Sequence, residues 1–303
     1  MKKKLNLKKW IKTSIIILMI IVILMVVINI FEACIKKNLK SFYQLSDELV
    51  VEEAYNTNFS RLTIDSFLSD IYIKNSIDNN TKILIYGDKD YVSHQLKNNT
   101  LSINIKEKDC YGICLNNIIS KIEIYLPKNY NKVIEIKNEY GNIEIDSYAS
   151  SAIDIKESYG DIKITDANFI KVDSNNGNLN INTVKKARIN MLNGNINIDS
   201  VNDIEVLSEY GDVDIENVNE ILKIKMEDGN IKINNLNLIN NSYIDVEYGN
   251  IEIAKTNNIN IDAKTNRGEL KIERNNKKSN IEFKVNSYRG DIKINKKEGN
   301  ING

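Results

Sequence analysis

Tyr140-Gly141-Asn142-Ile143-Glu144-Ile145 is one corner of a pattern that fills the second half of this 303-residue chain. Aligning on its glycine picks out Gly141, Gly160, Gly177, Gly194, Gly211, Gly229, Gly249, Gly268 and Gly290, at intervals of 19, 17, 17, 17, 18, 20, 19 and 22 residues. The second and fourth residues after every one of these glycines are aliphatic, from Ile143 and Ile145 to Ile292 and Ile294. The seventh and fifth residues before them are apolar too, from Ile134 and Ile136 to Phe283 and Val285, with Ser242 the single exception among 36 positions. Residues between these, such as Glu144, Lys163, Asn180 and Asp214, are polar. A period of two is the mark of a strand with one dry face, so each unit reads as two short strands around a Gly corner.

Two architectures accommodate two strands per unit: a hairpin meander, or a solenoid whose coils stack in parallel. A two-residue type I′ hairpin needs positive φ at both central residues, which suits Asn-Gly but not the Tyr-Gly of Tyr140, Tyr159, Tyr210 and Tyr248, nor the Arg-Gly of Arg267 and Arg289. A type II corner, with an ordinary residue first and Gly second, accepts both. The expectation is an all-β, single-chain β-solenoid (parallel β-helix-like) over residues 134–303, about 40 Å long at roughly 4.8 Å per rung. Side chains then form columns along the stack. Directly after the glycines stand Asn142, Asp161, Asn178, Asn195, Asp212, Asn230, Asn250, Glu269 and Asp291, an expected ladder. Two places on, Glu144 precedes Lys163, Asp214 precedes Lys232, and Glu252 falls between Lys232 and Lys271, so opposite charges meet on neighbouring rungs.

An open solenoid end needs a cover. Leu62, Ile64, Ile71 and Ile73 sit at the same four offsets around Ser69, which reads as a degenerate first coil. Strands follow at Ile83–Tyr86, Leu101–Ile105 and Ile122–Leu126, so residues 47–133 read as a β-rich N-terminal cap. The far end looks weakly covered.

The N-terminal residues have another chemistry. Ile15 to Ile28 are unbroken apolar, and residues 13–31 approach the ~20 needed for a transmembrane helix. Lys2, Lys3, Lys4, Lys8, Lys9 and Lys12 precede them with no acid, which places residues 1–12 in the cytoplasm and the rest outside. The run is longer than a cleaved signal's apolar core, so it reads as one membrane anchor, followed by a juxtamembrane linker over 32–46. Cys110 and Cys114 bracket a short turn and are either a small disulfide or two reduced thiols.

The formal charge of zero hides an asymmetry. With the six N-terminal lysines set aside, residues 32–303 carry 35 basic against 41 acidic side chains, a net −6 that disfavours nucleic acid. Arg289-Gly290-Asp291 spells an integrin-type tripeptide but occupies the same corner as Tyr159-Gly160-Asp161. The nine-residue repeat of calcium β-rolls is absent. The one histidine, His94, stands in no recognised catalytic motif, and every acid that can be placed belongs to a repeating solvent face. No cofactor, metal or catalytic residue is expected. Tyr140, Tyr159, Tyr210 and Tyr248 flank corners, with Tyr148, Tyr243 and Tyr288 nearby, and form the candidate interaction surface if exposed.

From Leu62 onward the chain resembles the DUF4097 family of bacterial β-strand-repeat proteins, often labelled adhesins. The residues that carry the likeness are Ser69-Asp-Ile-Tyr-Ile73, Leu126-Pro-Lys-Asn-Tyr130, Ile134-Glu-Ile136 and Tyr140-Gly-Asn-Ile-Glu-Ile145 with its successors. An anchor ahead of such a domain also resembles membrane proteins encoded beside cell-envelope-stress systems. The resemblance implies a coil and an envelope setting, not a chemistry.

The reading from sequence is a non-enzymatic, membrane-anchored, extracytoplasmic interaction protein, engaging an envelope protein or wall polymer in adhesion or envelope stress. The alternatives are a scaffold self-associating through its distal edge and, last, a polysaccharide-active enzyme.

Overall fold

The computed structural model describes residues 43–55, 59–77, 80–106, 117–273 and 275–296. The expected membrane span over 13–31 and the pair Cys110 and Cys114 lie outside the described residues. Among the described residues no helix is long and apolar enough to cross a membrane. The chain divides into two compact units, 1–45 with 110–118, and 46–109 with 119–303. Of the first unit, the structure describes strand β1 (Tyr43–Leu45) and the start of β7.

Among its described residues the second unit is built of strands joined by turns, with one short 3-10 helix. Its first part holds β2 (Leu49–Tyr55), β3 (Arg61–Ser76), β4 (Thr81–Tyr86), β5 (Val92–Lys97), β6 (Thr100–Ile105) and β7 (Asn117–Pro127). The repeats follow as β8 (Val133–Tyr140), β9 (Ile143–Tyr159), β10 (Ile162–Asn176), β11 (Leu179–Asn193), β12 (Ile196–Tyr210) and β13 (Val213–Asp228). Then come β14 (Ile231–Leu236), β15 (Ser242–Tyr248), β16 (Ile251–Thr256), β17 (Asn260–Arg267), β18 (Leu270–Ile272), β19 (Glu282–Arg289) and β20 (Ile292–Lys296).

All pairings between repeats are parallel, which rules out the meander. Ile162 of β10 stands between Ile143 of β9 and Leu179 of β11, and the same register repeats along the stack. Each of β10 to β13 runs from one Gly corner to the next as one bent strand, not two separate ones. In β10 the buried positions are Ile162, Ile164, Ala167, Ile170, Val172 and Ser174. The step lengthens from two residues to three on either side of Ala167, and a strand can keep one face inward across a bend only by such a slip. The aliphatic rows meet in one continuous core. Ser242, the polar exception, is buried with both ends of its hydroxyl used: Oγ accepts the Leu222 N–H at 3.1 Å and donates to the Asn240 carbonyl at 3.1 Å.

The corners explain the glycines. A Cβ on Gly194 would stand 1.8 Å from the Gly177 carbonyl oxygen, and comparable contacts join every corner glycine from Gly141, seated on Ser69, to Gly268. No side chain fits such an approach. Seven of the nine also adopt φ between +124° and +156°, an opener conformation than the +80° of a type II turn.

The coils do not stack in sequence order throughout. β19 and β20 pair with β15 and β16 on one side and with β17 and β18 on the other, so the coil of Gly290 lies between those of Gly249 and Gly268. Glu252 therefore meets Lys293, at 3.1 Å, rather than Lys271. At the other end β3 is a full rung, with β8 and β9 on one face and β6 and β7 on the other. Two antiparallel additions cover that end: β5 on β6, and β4 on β7 with β2 beyond it.

Candidate functional site

The column after the corner glycines is a backbone-to-side-chain ladder. Oδ1 of Asp70 accepts the Asn142 N–H at 2.8 Å, Oδ1 of Asn142 accepts the Asp161 N–H at 3.2 Å, and the relay continues through Asn178, Asn195, Asp212, Asn230 and Asn250. It ends with Asp291 on Asn250 and Glu269 on Asp291, both at 2.8 Å. A side chain one carbon from Cα has the reach to serve as this acceptor, which is why Asn and Asp alternate freely here. Asp291 of the Arg-Gly-Asp tripeptide is thereby committed to the ladder.

The corner tyrosines are not one surface. Tyr140 and Tyr159 stack at 5.1 Å with their planes 7° apart, and Phe67 meets Tyr140 edge-on at 5.5 Å. Asn176 and Asn193 then interrupt the column, Tyr210 stands beside Asp228, and Tyr248 lies under the Arg289 guanidinium at 5.3 Å. Tyr148 is no part of an exposed edge: it is fully buried, its hydroxyl donating to the Lys74 carbonyl at 2.6 Å, and burial raises its phenol well above the ordinary range.

The outward positions four and two residues before each corner line an open trough of about 760 Å³ that crosses six successive rungs. Leu207 and Tyr288, 47% and 44% exposed, are its apolar contacts; Glu209, Glu227 and Glu247 stand in one column, with Lys225 and Lys264 alongside. Leu192 extends the apolar strip along the adjoining depression of about 370 Å³. Such a face presents three glutamates at ~4.8 Å steps with apolar and cationic side chains along its length, suited to contact along a chain rather than enclosure of a small molecule. Corner reasoning missed it. The signal was there: Met191-Leu192 and Val206-Leu207 break the apolar–polar alternation by putting a leucine on the wet face.

His94, on β5, has neighbours on the covering strands. Its Nδ1 lies 3.3 Å from the Tyr55 hydroxyl and 3.6 Å from Glu53, while Tyr55 donates to Glu53 at 2.7 Å. Burial, helped by that carboxylate, holds the Tyr55 phenol well above its usual value, so it remains a donor. Among the described residues no group of three or more His, Cys, Asp or Glu side chains is placed to hold a metal ion.

One inward column departs from apolar chemistry. Three residues before each corner stand Asn138, Glu157, Ser174, Met191, Ser208, Met226, Val246, Ser287 and Thr265. Glu157 is 3% exposed, and neither carboxyl oxygen has an aligned hydrogen-bond partner. Burial first, then the charges of Asp70 and Glu139, push its pKa up to about 9 against an easing influence of the Asn138 amide.

A family model described as Toastrack DUF4097 matches residues 59–302. A search of curated proteins found no match. Among solved structures, a proposed adhesin from Bacteroides fragilis is 16% identical, with 83% of this chain and 99% of that one covered and a TM-score of 0.44. A proposed adhesin from Parabacteroides distasonis is 12% identical, covering 83% and 100%, at 0.45. A proposed lipid-binding protein from the same species is 13% identical, covering 82% and 97%, at 0.35.

Proposed function

The chain belongs to the DUF4097 (Toastrack) family, and on that premise we propose that it is a non-enzymatic, membrane-anchored, extracytoplasmic binding protein, in adhesion or the envelope stress response. It lays an extended segment of an envelope protein or a wall polymer along its solenoid. The observation that carries this reading is the six-rung trough with its half-exposed Leu207 and Tyr288. Catalysis needs groups converging on one atom, whereas an elongated open face with apolar contacts and flanking charges suits an extended partner. The apolar run Ile15–Ile28 behind six lysines supports the anchor and its orientation.

Two measurements test it. Capture of purified wall polymer and of envelope extract by the full chain in detergent should weaken about tenfold or more in Leu207→Ser/Tyr288→Ser, since each side chain contributes on the order of 1.5–3 kcal/mol when covered. Equal capture by the variant removes the trough from the account. Protease added to intact cells should strip the solenoid and leave a short anchored stub; a protected solenoid sinks the outward orientation.

A further inference from the structure

The column three residues before each corner has a task that three of its members show, while the hydroxyls of Ser174 and Ser208 in the same column have no hydrogen-bond partner among the described residues. Asn138 Nδ2 donates to the Ser69 carbonyl at 2.9 Å, Ser287 Oγ to the Gly249 carbonyl at 3.0 Å, and Thr265 Oγ1 to the Gly290 carbonyl at 2.8 Å. In each case a side chain satisfies the corner carbonyl of the preceding rung, a buried acceptor that the ladder does not reach. Glu157 occupies this position for the corner of Gly160, whose preceding carbonyl is that of Gly141, which the Asn138 amide also reaches, at 3.5 Å.

The two settings share the same neighbours, a side-chain oxygen and the preceding corner carbonyl beside one glycine. The point where a Gly268 Cβ would stand is 2.1 Å from the Gly290 oxygen and 3.0 Å from Thr265 Oγ1, the donor. The equivalent point at Gly160 is 1.8 Å from the Gly141 oxygen and 2.9 Å from Glu157 Oε1. An ionised carboxylate has no proton to offer a carbonyl and would face it as a second acceptor.

We infer that Glu157 is carried in the folded protein as a neutral carboxylic acid whose O–H donates to the Gly141 carbonyl, forming a pH-sensitive latch between the corners of Gly141 and Gly160. The surroundings fit a proton held rather than a charge. Asn138 lies beside it on β8 and Ser174 on β10, Tyr159 is the nearest backbone on its own strand, and the charges of Asp70 on β3 and Glu139 on β8 act on it from nearby. The acids among these oppose a second negative charge. Lys137 and Lys156 occupy outward positions, and Lys137 is engaged by Asp65 at 3.6 Å. The raised pKa of about 9 agrees with the geometry.

The sign of the effect follows. The native state keeps a proton that the unfolded chain releases near 4.5, so the latch contributes fully below that pH and its contribution falls as pH rises, until it is lost through about 9. Within that window the folding equilibrium weakens about tenfold per pH unit, roughly 1.4 kcal/mol. For a protein facing the exterior, alkaline surroundings would loosen the coils next to the cap while acid ones tighten them.

Chemical denaturation of the full chain from pH 5 to 9 should be compared with Glu157→Gln, whose amide keeps a donor and does not titrate. The ratio of folding constants, variant over wild type, should climb about tenfold per pH unit across the window. A ratio that stays flat overturns the latch. Independently of how the variant folds, infrared spectra of the wild type at pH 7 should contain the C=O stretch of a protonated carboxyl that disappears near pH 10. Its absence at pH 7 overturns the proposal as well.

Discussion

At the capped end of the solenoid, β6 and β7 lay a rung on β3 and are themselves covered by antiparallel β5 and β4; at the open end, β17 and β18 pair on one side only among the described residues. Burial follows the cover. Leu101, Ile103, Ile122 and Ile124 are at most 1% exposed, whereas Leu270, in the same role at the open end, is 46% exposed and Ile272 only half-buried. The open end is instead lined with charge: Arg267 lies in register with Arg289, and Lys271 with Lys293. Residues 260–303 hold eleven basic against six acidic side chains in a body that is otherwise acidic. A sheet edge is thus closed either by more strands, which bury its apolar row, or by like charges, which deter a second copy but leave the row wet. That charge argues against the self-assembling scaffold, since two such ends would repel.

The comparison breaks most visibly at the corner glycines. Gly194→Ala, mid-stack with φ of +136° and a carbonyl 1.8 Å from the new Cβ, should cost about 3–5 kcal/mol in denaturation or abolish folding. Gly268→Ala meets a carbonyl at 2.1 Å but sits on the last rung, which has room to lift, so about 1–2 kcal/mol is expected. Equal losses would mean that the open end is as rigid as the middle.

Core truncation sharpens the contrast by a smaller step. Ile122→Ala should cost roughly 2–5 kcal/mol, because the cover prevents collapse of the cavity. Leu270→Ala should stay within about 0.5 kcal/mol, as for a surface position. A large loss at Leu270 would show that something covers it. The smallest effect concerns association. Mixing the wild type with Arg267→Glu/Lys271→Glu should produce concentration-dependent heterodimers by sedimentation that dissolve in high salt, at about 0.2–1 kcal/mol per new charge pair. A mixture that stays monomeric would remove charge as the guard of that edge.

Much of the coil was legible along the chain. Ile162 and Ile164, or Leu179 and Ile181, declare an inward face without reference to any partner, and the corner glycines recur because every rung meets the same carbonyl. The swapped order of the last two coils was written more faintly. Every corner has Asn or Asp after its glycine except that of Gly268, where Glu269 stands, and among the described residues that rung receives no further N–H. The trough announced itself only through Leu192 and Leu207, and Glu157 not at all, because in a linear reading a Glu near a corner is one more solvated acid.

By itself the sequence determined the repeat, the dry rows and the parallel stacking, since side-chain alternation and the close approach at glycine are set within a coil and its immediate neighbour. Only the tertiary structure decided which coil lies last, what covers each end, and that the carboxyl of Glu157 faces a carbonyl in the interior. Those depend on register between segments distant along the chain, where the free energy of pairing and burial, rather than local pattern, selects the neighbour.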